Sequence, residues 1–368
     1  MKISIGSKFI EKPFGGGNEF VKNLISKLTE DGHVVLNNLK DPEIDIILLI
    51  NPLIDSELST FNNFDIDFYK TFINKKAISI HRINECDERK NTKKVNKAII
   101  NSNKNIDSNV YVSSWIKNLY ITQGISKKPY LVAKGGPLGK KFNSVNKTSW
   151  NKKEKLKLVT HHWSANDMKG LDLYMLIDNL CSDSYWKEKI EFTYIGNLPK
   201  NIEFKNTKVI NPLSSDDLAK ELRNHNVYIT GSKNEPSGNH HMEGALCGLP
   251  IIYINSGALP EYCSEYGVET NLNNIENSIH EIMNKYEIYF NKVKKYPYSF
   301  ENLYKDLINH FEYLIDNKEI IYEKRSYQSK YLILFNFSIN KLKRIIFNIY
   351  KNARVFLGKV KRFIGNYA

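Results

Sequence analysis

The sequence predicts an α/β fold of two Rossmann-like domains followed by a basic helical tail, and three observations predict it. Short runs rich in β-branched residues alternate with segments of helical apolar spacing along most of the chain. The 368 residues are enough for about two domains. In the second half, the run Val227–Thr230 is followed by a loop, a helical segment and a new strand starting at Ile251. Strand–loop–helix–strand is the unit of a doubly wound sheet, in which ligands sit at the carboxyl ends of the strands.

Taken in order, Lys2–Gly6 reads as the first strand, and Gly15-Gly16-Gly17 sits in the loop after it. Phe20, Leu24, Ile25 and Leu28 recur at helical spacing up to Asp31-Gly32, and His33–Leu36 and Ile44–Ile50 are the next strands. The glycine triplet is not a G-x-G-x-x-G fingerprint. Asp65-Ile66-Asp67 has the D-x-D form of metal-dependent transferases, but it lies among acidic and aromatic residues far along the chain from the other polar clusters, so no metal site is expected there. Ala77–Ile80 runs into His81-Arg82-Ile83-Asn84-Glu85-Cys86-Asp87, and polar residues crowding the end of a buried strand mark a candidate site. Arg82 carries a guanidinium that can fork onto an anion. Lys97–Asn101 and Val110–Ser113 read as strand segments, and Ser113 is placed to cap a helix. Tyr130–Ala133 leads into Lys134-Gly135-Gly136-Pro137. The polar stretch Ser144–Lys155 sets the boundary, giving domains over 1–148 and 149–318 and a tail over 319–368.

In the second half, Leu156–Thr160 is a strand ending in His161-His162-Trp163-Ser164, and Lys169-Gly170 opens a helix carrying Leu171, Tyr174, Leu176 and Ile177. Ile190–Gly196 and Val209–Leu213 are strands, with Ser214 or Ser215 capping the helix between the second of these and Val227. The loop after Thr230 holds Glu235, Pro236, Ser237, Gly238, Asn239 and His240. The helix that follows, with Met242, Ala245 and Leu246, is stopped by Gly248-Leu249-Pro250. Beyond Glu261 the chain is helical and charged from Ile275 to about Asn317. Glu235 and Glu243, seven residues apart, flank a helix N-terminus, whose free amides and dipole attract phosphate. Carboxylates beside a phosphate repel it, so they should face neutral hydroxyls. A ligand with a phosphate centre and hydroxyls on both sides is a sugar nucleotide.

Glu-Pro-Ser-Gly, four residues, Glu-Gly-Ala, then Gly248-x-Pro250 and Gly257-x-x-Pro260-Glu261 resembles the donor-site signature of the family 4 retaining glycosyltransferases. The resemblance is strongest over 227–261 and extends to about residue 315. It implies a GT-B fold, in which two Rossmann-like domains face a cleft, the first for acceptor and the second for donor. It implies that Glu235 meets the donor sugar and that Glu243 holds the ribose hydroxyls, with Pro236, Ser237, Gly238, Asn239 and His240 lining the same loop. Gly16 and Gly17 would let backbone approach the donor phosphate and acceptor. His81 fits the place of a histidine set near the donor sugar. Lys169 would neutralise the diphosphate, favouring the charge that gathers on the leaving group in the transition state. Ser164 stands where many members carry a second cation, an arginine. His161, His162, Arg82, His240 and His241 are the alternatives for that charge. The adjacent histidine pairs are not expected to bind metal, because neighbours on a strand point to opposite faces.

Composition narrows the class. Four cysteines, Cys86, Cys181, Cys247 and Cys263, lack metal-ligand spacing and suggest reduced thiols in the cytoplasm. The N-terminal apolar run is too short for a signal peptide, and no stretch reaches the roughly 18 to 20 apolar residues of a membrane span. Net charge is +13, and residues 321–368 carry eleven Lys or Arg against the single acid Glu323. Phe335, Ile339, Leu342, Ile346, Ile349, Phe356, Val360, Phe363 and Ile364 follow helical spacing there. Lys341, Lys343, Arg344, Lys351, Arg354, Lys361 and Arg362 fall mostly opposite. This reads as an amphipathic helix on anionic lipid; the other possibility is docking on the protein's own surface. Nucleic acid is not expected, since it gives the apolar face no purpose. The sequence therefore predicts a cytoplasmic, peripherally membrane-associated, metal-independent retaining enzyme. It would move a sugar from a nucleotide sugar to a glycan or lipid-linked acceptor, with no cofactor. A nucleotide-sugar epimerase, a DNA glucosyltransferase and a non-catalytic membrane scaffold are the rival readings.

Overall fold

The structure, a computed structural model, describes residues 1–11, 15–53, 58–325 and 328–365, with side chains as far as Arg354. The first domain runs β1 (Lys2–Ile5), α1 (Gly16–Glu30), β2 (Val34–Leu36), β3 (Ile46–Leu49), α2 (Asn63–Phe72), β4 (Ile78–Ile83), α3 (Asp87–Lys90), α4 (Val95–Ser102), β5 (Ser108–Tyr111), α5 (Ser114–Thr122) and β6 (Tyr130–Val132). Its sheet is parallel throughout, in the order β2-β1-β3-β4-β5-β6. A parallel sheet covered on both faces needs strands that are apolar on both sides. In β3, Ile46 and Leu48 enter the core beneath α1, while Ile47 and Leu49 face Ile66 and Tyr69 of α2.

The second domain runs β7 (Leu156–His162), a 3₁₀ turn at Asp167–Lys169, α6 (Leu171–Leu180), β8 (Ile190–Gly196), β9 (Lys208–Ile210), α7 (Ser215–Arg223), β10 (Val227–Thr230), α8 (Asn239–Leu246), β11 (Ile251–Ile254), α9 (Leu259–Cys263), β12 (Gly267–Thr270), α10 (Ile275–Asn284) and α11 (Tyr286–Val293). Its sheet is also parallel, in the order β12-β11-β10-β7-β8-β9. The winding reverses between β1 and β3 in the first sheet and between β7 and β10 in the second. These are the two places where a crevice opens beyond the strand ends.

Two expectations need correction, and one strand is new. Lys97–Asn101 is not a strand but part of α4, with Val95, Asn96 and Ile99 on its buried face; a short apolar run does not distinguish the two periods. The new strand is β12, which lies between Glu261 and Ile275 where the sequence reading names no element, and pairs with β11 at the sheet edge. The sequence places everything after α11 in the second domain as far as residue 318. However, α12 (Phe300–Asp316) crosses back, and Phe300, Leu303, Leu307, Phe311 and Leu314 fill the first domain's core beside Ile3, Ile46 and Val110. Asp65 of the D-x-D sequence is spent on local structure, completing a capping box with Asn62 at the start of α2.

After α13 (Lys318–Glu323), the tail forms one long helix, α14 (Lys330–Gly365). One face docks on α2. Phe337 stacks on Phe68 with ring centroids 4.1 Å apart, Asn340 exchanges hydrogen bonds with Asn62, and Arg344 lies 3.0 Å from Asp65. The opposite face leaves Phe335, Leu342, Ile345, Ile346 and Ile349 exposed. Phe356, Val360, Lys361, Arg362, Phe363 and Ile364 lie beyond the described side chains. Among the described residues no helix is long and apolar enough to cross a membrane.

Candidate active site

A cavity of about 580 Å³ opens between the domains. From the second domain it is lined by the turn after β7 and the loop after β10, the two connections that flank the winding reversal. Glycine makes their approach possible. Gly170 has φ of 86°, and a Cβ there would lie 2.2 Å from the Gly231 carbonyl oxygen. Gly257, at φ 62°, passes within 2.4 Å of the Glu235 amide by the same measure. Ala258 then donates its amide to the Glu235 carbonyl at 2.8 Å, tying the loop to the next strand's connection.

Of the residues singled out from sequence, Gly16, Gly17, Arg82, Ser164, Lys169, Glu235, Pro236, Ser237, Gly238, Asn239, His240 and Glu243 all line this cavity. α8 begins at Asn239 with Gly238 as its cap residue and no side chain capping it, so its first amides face the cleft unclaimed by a cap. First-domain backbone comes close to the Asn239 side chain here: a Cβ on Gly16 or Gly136 would lie 3.0 Å from its Nδ2 and 2.4 Å from its Oδ1, respectively.

His81 is the exception. It lines a second cavity, of about 490 Å³, that opens at the first sheet's winding reversal and shares Gly15, Gly16, Gly17, Arg82, Asn84 and Glu85 with the first. Its Nδ1 lies 3.3 Å from Asn103 Nδ2, and burial pulls its pKa down to about 3. The neighbouring Arg82 lines both cavities and so reaches the main one, which His81 does not. Its guanidinium lies 3.8 Å from the centroid of Phe20 and one nitrogen has no partner among the described residues, while burial lowers its pKa only to about 10, leaving it cationic.

The two carboxylates are held differently. Glu243 Oε2 lies 2.6 Å from His161 Nε2, and His161 Nδ1 is paired with the Tyr228 hydroxyl at 3.1 Å. This chain fixes the carboxylate's direction from the end of β7. Glu235 Oε2 lies 3.7 Å from Lys169 Nζ and 2.8 Å from Nη2 of Arg89, in ion-pair range but off the line of any N–H bond. Burial depresses the Lys169 ammonium below the usual lysine value, an effect that Glu235 opposes. His162, His240 and His241 are pushed far down by burial and are neutral near pH 7. They therefore supply no cation in place of Ser164.

Sequence reasoning misses two residues. Arg89 sits in DERKNTKK, which reads as a solvated polar stretch, and nothing local signals a contact with residues 168 and 233–235. Glu261, visible in the sequence only as part of the signature, accepts the Ser114 amide at 2.9 Å and so caps α5 of the other domain. No group of three His, Cys, Asp or Glu among the described residues is placed to hold a metal ion.

No family model matches the sequence, and neither does any curated protein. Solved structures do match the fold. The Anabaena protein HepE in complex with UDP superposes with a TM-score of 0.62 at 12% identity, over 85% of this chain and 100% of that one. A glycosyltransferase from Rickettsia africae gives 0.59 at 13% identity, over 86% and 99%. Sucrose-phosphate synthase from Thermosynechococcus elongatus gives 0.56 at 13%, over 88% and 98%. The chain has the GT-B fold, two parallel six-stranded domains about a cleft.

Proposed function

We propose that the chain is a retaining, metal-independent glycosyltransferase of the family 4 type. It would transfer a sugar from a nucleotide sugar to a hydroxyl of a glycan or lipid-linked glycan. The observation that carries this reading is the convergence of Lys169, Glu235, Glu243 and the uncapped start of α8 on one cavity at a winding reversal. Lys169 and the α8 amides hold the diphosphate, so no metal is required for its charge. Glu243, aimed by His161, accepts the ribose hydroxyls. Glu235 accepts hydroxyls of the sugar. As the bond from the anomeric carbon to the diphosphate oxygen breaks, the leaving group's growing charge falls on Lys169, whose burial strengthens that attraction. The acceptor enters from the first domain, past Gly16, Gly17 and Arg82. Structures of the same fold solved with UDP and UDP-glucose support a donor of that class.

Binding of a panel of nucleoside diphosphates, followed by hydrolysis and transfer with the matching nucleotide sugars, tests this reading. Tight diphosphate binding that Glu243→Ala weakens is expected. A chain that binds none of them refutes it, and conversion of the donor into an isomeric nucleotide sugar with no acceptor present would instead make it an epimerase.

The tail extends the reading to location. The α14 face that points away from α2 is apolar and exposed, and on the helical wheel Lys343 and Arg354 border it. Each such charge contributes about 1 kcal/mol at an anionic surface, so the face fits the headgroup boundary of an anionic bilayer on the cytoplasmic side. A truncation ending at Arg325 is expected to lose sedimentation with vesicles containing phosphatidylglycerol while keeping diphosphate affinity. Undiminished sedimentation would end the membrane assignment.

A further inference from the structure

We infer that Arg89, on the first domain, is a positioning residue of the donor site, neutralising Glu235 so that the Lys169 ammonium is left for the diphosphate. The inference rests on the donor reading above and adds to it the residue that makes a carboxylate tolerable beside a phosphate. Glu235 is buried, and its Oε2 has only two cations near it among the described residues. Arg89 is the closer, at 2.8 Å against 3.7 Å for Lys169. An ammonium already committed to a carboxylate has little attraction left for a second anion. With the guanidinium on Glu235, the carboxylate's claim on Lys169 is offset and the ammonium is left to attract the ligand, while Glu235 still favours its charged form and Arg89 opposes it.

Arg89 also fixes the two donor turns relative to each other. Its Nη1 donates to the Met168 carbonyl at 2.8 Å and to the Lys233 carbonyl at 2.9 Å. The first belongs to the turn that carries Lys169 and the second to the loop that carries Glu235. Next to it, the Asn234 side chain donates to the Glu88 carbonyl at 3.1 Å, with Asn234 itself at φ 49°. All of these partners lie in the second domain except Glu88, which precedes Arg89 in α3. The donor pocket is therefore electrostatically complete only while α3 is seated on it. A planar guanidinium that hydrogen-bonds two carbonyls through Nη1 while Nη2 lies in ion-pair range of a carboxylate is a geometry lysine cannot copy.

The test uses the full chain, with UDP, GDP and ADP and their monophosphates as probes, by calorimetry. Wild type is expected to bind one diphosphate. Arg89→Ala is expected to lose roughly tenfold or more of that affinity, with the matching monophosphate changed much less, because the lost attraction belongs to the phosphate next to Lys169. Adding Glu235→Gln to Arg89→Ala removes the charge that Arg89 balances and is expected to recover most of the loss. A general loosening of the fold would do neither of these things. Arg89→Ala binding the diphosphate like wild type overturns the assignment, as does a double variant as weak as Arg89→Ala. A wild-type chain that binds no diphosphate removes the donor reading and this assignment with it.

Discussion

His241 offers a sharp test of how the donor helix is packed. It lies in α8, fully buried, edge-on to Tyr262 with ring centroids 5.4 Å apart, and neither ring nitrogen meets a hydrogen-bond partner among the described residues. Burial lowers its pKa from 6.5 to about 3. The unfolded chain therefore binds a proton below pH 6.5 that the folded chain refuses, so the stability tied to this residue is complete above 6.5 and is lost as pH falls towards 3. At pH 5.5 the unfolded histidine is about nine-tenths protonated, which costs the native state about 1.4 kcal/mol; at pH 8 the cost is close to zero. His241→Phe removes the titration. Any packing change it brings is present at both pH values, so the difference between them isolates the proton. Chemical denaturation of both proteins at pH 8 and pH 5.5 should show the variant gaining about 1.4 kcal/mol on wild type over that interval. An unchanged difference would mean that His241 is hydrated or paired in solution, and the dry packing of α8 would be wrong.

Other consequences are equally open to measurement. Glu243→Ala should weaken nucleoside diphosphate binding by about 10- to 100-fold through lost ribose hydrogen bonds, read by calorimetry; equal affinity would remove Glu243 from the site. Gly170→Ala should push the two donor turns apart, because its Cβ would meet the Gly231 backbone. A stability loss of about 3 kcal/mol or more together with lost diphosphate binding is expected, and a normal melting curve would contradict it. Phe337→Asp should free α14 from Phe68, seen as faster amide exchange across residues 330–345 with the rest of the chain unaltered. Exchange like that of wild type would mean the helix is held by other contacts.

Local features of the fold and site are legible in the amino-acid sequence. The donor unit over 227–261 stands out because its loop glycines, its carboxylates and its helix stop are all close along the chain. Ser113 and Ser214 are readable as caps for the same reason, and both accept the amide that closes their helix. What the sequence hides is non-local. Val95–Ser102 offers too few turns for its period to outvote a strand. His81 and Arg82 are adjacent on β4, and only the packing around Asn103 and Phe20 decides which of them serves the main cavity. Arg89 gives no sign at all, since its partners lie 79 and 144 residues away. The tail's two alternatives, lipid or self-docking, do not exclude each other, because its helix has a docked face and a bare one.

The return of α12 to the first sheet has a consequence for biogenesis. When the ribosome has finished the first six strands, the layer containing Ile3, Ile46 and Val110 has α1 to pack on it but still lacks α12, and more than 150 residues must be made before Phe300 emerges. The nascent amino-terminal half must wait, with oily surface bare, while an entire inserted unit is synthesised. Chaperone dependence and aggregation of truncated products should accordingly peak for chains stopped short of residue 316 and fall sharply once α12 has cleared the exit tunnel.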